Sequence, residues 1–169
     1  MSLIFDKPII QVATPTTLPT GYGFIIIRNV SNDRHNLLWQ ANYSNIRKYY
    51  PSSTKIMIVD DNSSINTQYK FNDTTKTLKE IDESYTSNDT NLSIYYVAEH
   101  SPELIGSGEI LGYYMFKVIR PEFKYAVVIH DSTIINSNIP FSKTLTLCKC
   151  DVECVPIWMF ESELLDDKN

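Results

Sequence analysis

Four short apolar runs, each ending on a polar step, set the rhythm of the chain. In YGFIIIRNV (22–30) the residues Phe24 to Ile27 form a continuous apolar stretch of the kind buried on both faces of a parallel sheet. KIMIVDD (55–61), LSIYYVAE (92–99) and YAVVIHDS (125–132) repeat the pattern. Between the first two, residues 31–51 predict a helix: Asn32 or Asp33 can cap it, Leu38, Ala41, Asn42, Asn45, Ile46 and Tyr49 fall at helical spacing, and Pro51 stops it. TTKTLKEIDESY (74–85) predicts a polar helix, and GEILGYYMFKVIR (108–120) an apolar one opening after Gly106 and Gly108.

Strand and helix alternate, so the expected class is α/β: a Rossmann-like open sheet, mostly parallel, with helices on both faces and right-handed crossovers. After Ser132 the alternation lapses. TLTLCKC (144–150) and VPIWMF (155–160) are strand-like with no helix between them, which predicts a mixed C-terminal part. Residues 1–20, with Pro8, Pro15 and Pro19, suit an extended arm, residues 21–162 a single domain, and residues 163–169 an acidic tail.

Composition narrows the function classes. The formal net charge of −5 over 169 residues gives no basic stripe for nucleic acid. No apolar run reaches the roughly 18 to 20 residues of a membrane span, and the first residues lack a signal-peptide layout. A soluble, cytoplasmic protein is the expectation. Cys148, Cys150 and Cys154 are one ligand short of a structural zinc site and read as free thiols.

In an open α/β sheet, ligands bind beyond the carboxyl ends of the strands, near the point where strand order reverses. That rule gathers the polar steps: Arg28 and Asn29, then Asp60, Asp61 and Asn62, then Glu99 and His100, then His130, Asp131 and Ser132. The adjacent acids Asp60 and Asp61 raise an electrostatic question, because like charges that close need a positive or hydrogen-bonding partner. Asp131, with small polar flanks, is the type of oxygen ligand that Mg2+ or Mn2+ uses when it arrives on a diphosphate. The turn Gly106–Glu109 precedes a helix, whose N–H groups can face an anion.

Taken together these pieces resemble a GT-A nucleotide-sugar glycosyltransferase of the family-2 kind, and more specifically the small glycosyltransferases of large DNA viruses. FIIIRN, KIMIVDDNSS, GSGEILGYYMF, YAVVIHDS and IWMFES occur in the matching order over residues 22–162. The resemblance implies transfer of a sugar, with inversion, from a UDP-linked donor to a hydroxyl on a glycan or other acceptor, assisted by Mn2+ or Mg2+. It implies that Asp61 accepts the imide N–H of the base, that Asp60 supports the loop and that Arg28 lies by the base or phosphates, with Asn29 beside it. Asp131 would hold the cation, His130 and Ser132 line the site, and Gly106, Gly108 and Glu109 border the sugar-phosphate. With only 38 residues after Asp131, Glu161 is the nearest candidate for the catalytic base, with Glu153 and Glu163 behind it; the alternative is that the base and acceptor lid are absent from this chain. The usual D-x-D has become His130-Asp131-Ser132, with a single carboxylate.

Two other readings differ in class. A non-catalytic or truncated nucleotide-binding module would keep the donor site without turnover. A receiver-like signalling domain would use the acid pair for Mg2+, but it would carry that pair on its first strand, and here the pair follows a complete strand and helix.

Overall fold

The computed structural model describes residues 21–97, 109–119, 121, 123, 125–139 and 154–156. Strand β1 (Tyr22–Arg28) leads into helix α1 (Asp33–Tyr49) and strand β2 (Ile56–Asp61). A hairpin follows, β3 (Gln68–Phe71) and β4 (Thr74–Thr77), then α2 (Leu78–Asn88), β5 (Leu92–Val97), α3 (Glu109–Ile119), β6 (Tyr125–His130) and β7 (Cys154–Pro156). The main sheet has the order β5-β2-β1-β6-β7 with every pairing parallel. The expected mixed C-terminal part is represented among the described residues by β7 alone, and β7 runs parallel to β6.

The apolar runs divide by strand alternation between two cores. Phe24, Ile26, Ile56, Ile58, Val127 and Ile129 face α1 and α2, where Trp39, Ile46, Leu78 and Ile81 meet them. Ile25, Ile27, Met57, Val59, Ala126 and Val128 face α3 through Leu111, Phe116 and Ile119. Helices therefore cover both faces, as the continuous runs require. Among the described residues no helix is long and apolar enough to cross a membrane.

Two expectations need correction. Residues 74–77 form a strand, not the start of a helix, because the β-branched Thr74, Thr75 and Thr77 pair back onto β3 across the turn Asn72-Asp73. Asn72 adopts φ 54°, a left-handed conformation that Asn tolerates. The helix starts at Leu78, where Thr77 and Glu80 form a reciprocal capping box. In α1 the buried stripe is Asn36, Trp39, Asn42 and Ile46, while Ala41 is exposed. Asn42 and Ile46 fall on the expected stripe, while Asn36 and Trp39 complete it in place of Ala41, and two of the four buried residues are amides. Each finds internal partners: Asn36 donates to the Lys70 carbonyl and accepts from the Trp39 indole, and Asn42 donates to the carbonyls of His130 and Thr133.

The other end of α1 is tied to the start of β5. Asp89 accepts from the Tyr43 hydroxyl at 2.8 Å, Arg47 Nε at 2.6 Å and the Asn91 N–H at 2.9 Å. Partial burial pushes this carboxyl up, but Tyr43, Asn91 and Arg47 together outweigh it and hold it below its ordinary value. A depressed folded-state pKa stabilises the protein above the unfolded value, and that contribution is lost as pH falls through the folded value. Asp89→Asn is expected to cost about 1 kcal/mol at neutral pH. In urea unfolding across pH, the gap to wild type should shrink as pH drops below the ordinary aspartate value of about 3.9.

Helix α3 sits close to the sheet because Gly112 has no side chain. A Cβ there would lie 2.8 Å from Ile27 Cδ1 and 2.9 Å from Val128 Cγ1. Gly112→Ala should destabilise the fold by about 1–3 kcal/mol through overpacking, despite the better helix propensity of alanine. Thermal unfolding followed by circular dichroism gives the check, and an unchanged Tm would contradict the close approach.

Candidate functional site at the carboxyl edge of the sheet

Strand order reverses at β1, which lies between β2 and β6. Register places Arg28 opposite Asp60 and Ile27 opposite His130, so β2 and β6 each end within one residue of the end of β1. Asn29, Asp61 and Asp131 thus lie side by side on one edge, the position where open α/β sheets bind ligands.

Alternation resolves the acid pair. Asp60 falls on the same face of β2 as Ile56 and Ile58, while Asp61 falls on the face of Met57 and Val59. The two carboxylates therefore do not share one cation. Asp60 is 1 % exposed and receives Arg28 Nε at 2.7 Å and the Ser63 N–H at 2.8 Å. Arg28, itself 1 % exposed, turns its other two nitrogens to Asp82 on α2, at 2.8 and 2.6 Å, in a bidentate pair. Its guanidinium stacks over the Trp39 ring, 4.6 Å from the centroid.

Arg28, expected by the base or phosphates, is thus committed to two carboxylates beneath the sheet edge. Burial alone would lower its pKa, but Asp82 and then Asp60 outweigh burial and hold it above its ordinary value. The cluster has one positive and two negative groups, and polar donors offset the imbalance. Asp82 accepts a further bond from the Tyr96 hydroxyl at 2.6 Å, whose pKa is driven up by burial and by that carboxylate.

Above this cluster the edge loops are bonded to one another. The Val30 N–H donates to Ser63 Oγ at 2.7 Å, and the Val30 carbonyl accepts from the Tyr69 hydroxyl at 3.0 Å. Asn29 Nδ2 donates to the Asp61 carbonyl. Asn62 takes the left-handed conformation at φ 61° and donates its N–H to the Val97 carbonyl at 3.0 Å. On the other side of β1, the Asp131 N–H donates to the Ile27 carbonyl at 2.9 Å. The Asp131 carboxyl is half-buried, and burial raises its pKa against the opposing pull of His35, the N–H groups of Ser132 and Asn29, and His130.

His35 was not singled out by the sequence. It stands in the first turn of α1, with Nδ1 3.0 Å from Ser31 Oγ and its N–H on the Asn32 cap. Ser63, Asp82 and Tyr96 also escape a reading based on strand ends, since each acts through hydrogen bonds to residues distant in sequence. Ser132 is exposed and His130 partly so. Glu109 opens α3, whereas Gly106, Gly108 and Glu161 lie outside the described residues, as do Glu99 and His100.

Among the described residues no group of three or more His, Cys, Asp or Glu side chains is placed to hold a metal ion. Asp131 offers a single carboxylate, which suits a cation whose remaining ligands are phosphate and water oxygens. A search of family models, curated proteins and solved structures finds no match to this chain.

Breaking the buried cluster has a large expected cost. Asp82→Ala leaves Arg28 short of its bidentate partner and should lose about 3–5 kcal/mol in urea unfolding, enough to threaten folding. Tyr96→Phe removes a single hydrogen bond from a half-exposed ring and should lose about 1 kcal/mol. A loss under about 1 kcal/mol for Asp82→Ala would show that the cluster is not the brace its geometry describes.

Proposed function

We propose that the edge formed by the ends of β2, β1 and β6 binds a nucleoside-diphosphate sugar, UDP-linked, and that the protein transfers the sugar to a hydroxyl acceptor with inversion. One observation carries this reading. Asp61 and Asp131 flank β1 at the point of order reversal, with their strands separated by two strand spacings, roughly 10 Å. A single ion cannot bridge that distance, whereas a nucleotide can, with its base at one end and its phosphates at the other.

In this arrangement Asp61 accepts the imide N–H of the base. Asp60 fixes the loop from below through Ser63, so the pair has one outward and one inward member. Asp131 supplies one carboxylate to a Mn2+ or Mg2+ carried on the diphosphate; such an ion neutralises charge on the leaving group. His130, Ser132 and Asn29 border the phosphates. Arg28 contributes as the brace under Asp60, not as a phosphate ligand.

Transfer breaks the bond from the anomeric carbon to the diphosphate oxygen as the acceptor oxygen bonds to the opposite face of that carbon. The electron pair leaves on the diphosphate, and the hydroxyl proton passes to a general base, the role assigned to Glu161. Positioning and leaving-group electrostatics would account for most of the acceleration.

Calorimetric titration with UDP and Mn2+ tests the donor site. Binding should be saturable, and Asp61→Ala and Asp131→Ala should each weaken it by about tenfold, the effect of losing one charged hydrogen bond or ligand. Absence of heat with every nucleoside diphosphate would end the reading. Sugar release from UDP-sugars, abolished by Asp131→Ala, separates an enzyme from a module that binds without turnover.

A further inference from the structure

Resting on the nucleotide reading above, we infer that Ser63 is a positioning residue that sets the base-reading arm of the site more directly than the phosphate arm. Ser63 is bonded in two directions. Its N–H holds Asp60 Oδ1 at 2.8 Å, and its Oγ receives the Val30 N–H at 2.7 Å. Asp60 is anchored in turn by Arg28, and Val30 is 2 % exposed with its carbonyl held by Tyr69. Ser63 therefore joins two fixed points, Asp60 on β2 and Val30 just past β1, and the residues between Asp60 and Ser63 are Asp61 and Asn62.

Those two residues hang from three supports. Asn29 Nδ2 bonds the Asp61 carbonyl, the Val97 carbonyl takes the Asn62 N–H, and Ser63 closes the turn. Asn62 takes the left-handed backbone that asparagine tolerates, which turns the chain from Asp61 toward Ser63. Asp131, across β1, is tied through its own N–H to the Ile27 carbonyl, and Asn29 is the residue that links the two arms. Removing the Ser63 hydroxyl acts directly on the arm that carries Asp61 and reaches Asp131 only at second hand, through Val30 and Asn29.

This division of labour gives a readout that a general structural role would not. In Ser63→Ala, affinity for UDP with Mn2+ should fall about tenfold, while affinity for inorganic diphosphate with Mn2+, which has no base to read, stays close to the wild-type value. Ser63→Thr, which keeps the hydroxyl, should restore UDP binding. UDP bound by Ser63→Ala as tightly as by wild type overturns the inference. So does an equal loss for UDP and inorganic diphosphate, which would mark Ser63 as a plain structural brace.

Amide exchange in the free protein tests the same closure without a ligand. The Val30 amide should exchange about tenfold faster in Ser63→Ala and at the wild-type rate in Ser63→Thr. Unchanged exchange in Ser63→Ala overturns the inference. Failure of wild type to bind any nucleoside diphosphate, with the exchange difference present, would remove the nucleotide reading and the base-reading role with it, while leaving the loop closure established.

Discussion

One guanidinium holds the working end of this sheet together. Arg28 leaves the last residue of β1, stacks on Trp39 of α1 and divides its donors between Asp60 of β2 and Asp82 of α2. Four elements meet on one cation, and a fifth, β5, joins through the Tyr96 hydroxyl. A buried ion cluster is weak evidence of net stability, because desolvation offsets much of its attraction. Its value is geometric. Once the charges are buried, any slip of β1 against β2 leaves one of them unpaired, so the register of the two central strands is fixed at the edge where a ligand would sit.

The loops above inherit that order. Asp60 passes it to Ser63, Ser63 to Val30, and the adjoining Asn29 to both flanking acids. The hairpin adds a support from the opposite direction, with Tyr69 on the Val30 carbonyl and Lys70 bonded through its N–H and carbonyl to Asp33 and Asn36. An edge assembled this way is largely preformed, so that little ordering cost would be left for a ligand to meet.

How much of this could be read from the chain depends on which physical signal carried each part. The four strands were legible because burial on both faces demands unbroken apolar runs, and Phe24–Ile27 and Ile56–Val59 have no other comfortable home. The turn Asn72-Asp73 marks the hairpin in principle, but Thr74–Thr77 abuts a strong helix whose pattern masks the strand. The phase of α1 is legible in part, through Asn42 and Ile46, and an amide at the core position Asn36 hides the rest. Asp60 and Asp61 could be separated by period-two alternation alone. That Asp60 faces Arg28 and Asp82 could not, since the pairs span 32 and 54 residues of sequence and only the folded sheet brings them into reach.

Asn42 shows how narrow the chemistry of a single buried position can be. Fully buried, it gives both amide hydrogens to the carbonyls of His130 and Thr133, fastening the segment after β6 to α1, while its own Oδ1 accepts nothing among the described residues. Aspartate would set a negative charge against two carbonyl oxygens, and leucine would take the Asn42 donor from the Thr133 carbonyl and leave the His130 carbonyl with the Thr133 N–H alone. Position 42 therefore admits an amide and little else, and a residue that hydropathy scores as surface becomes one of the least replaceable in the helix.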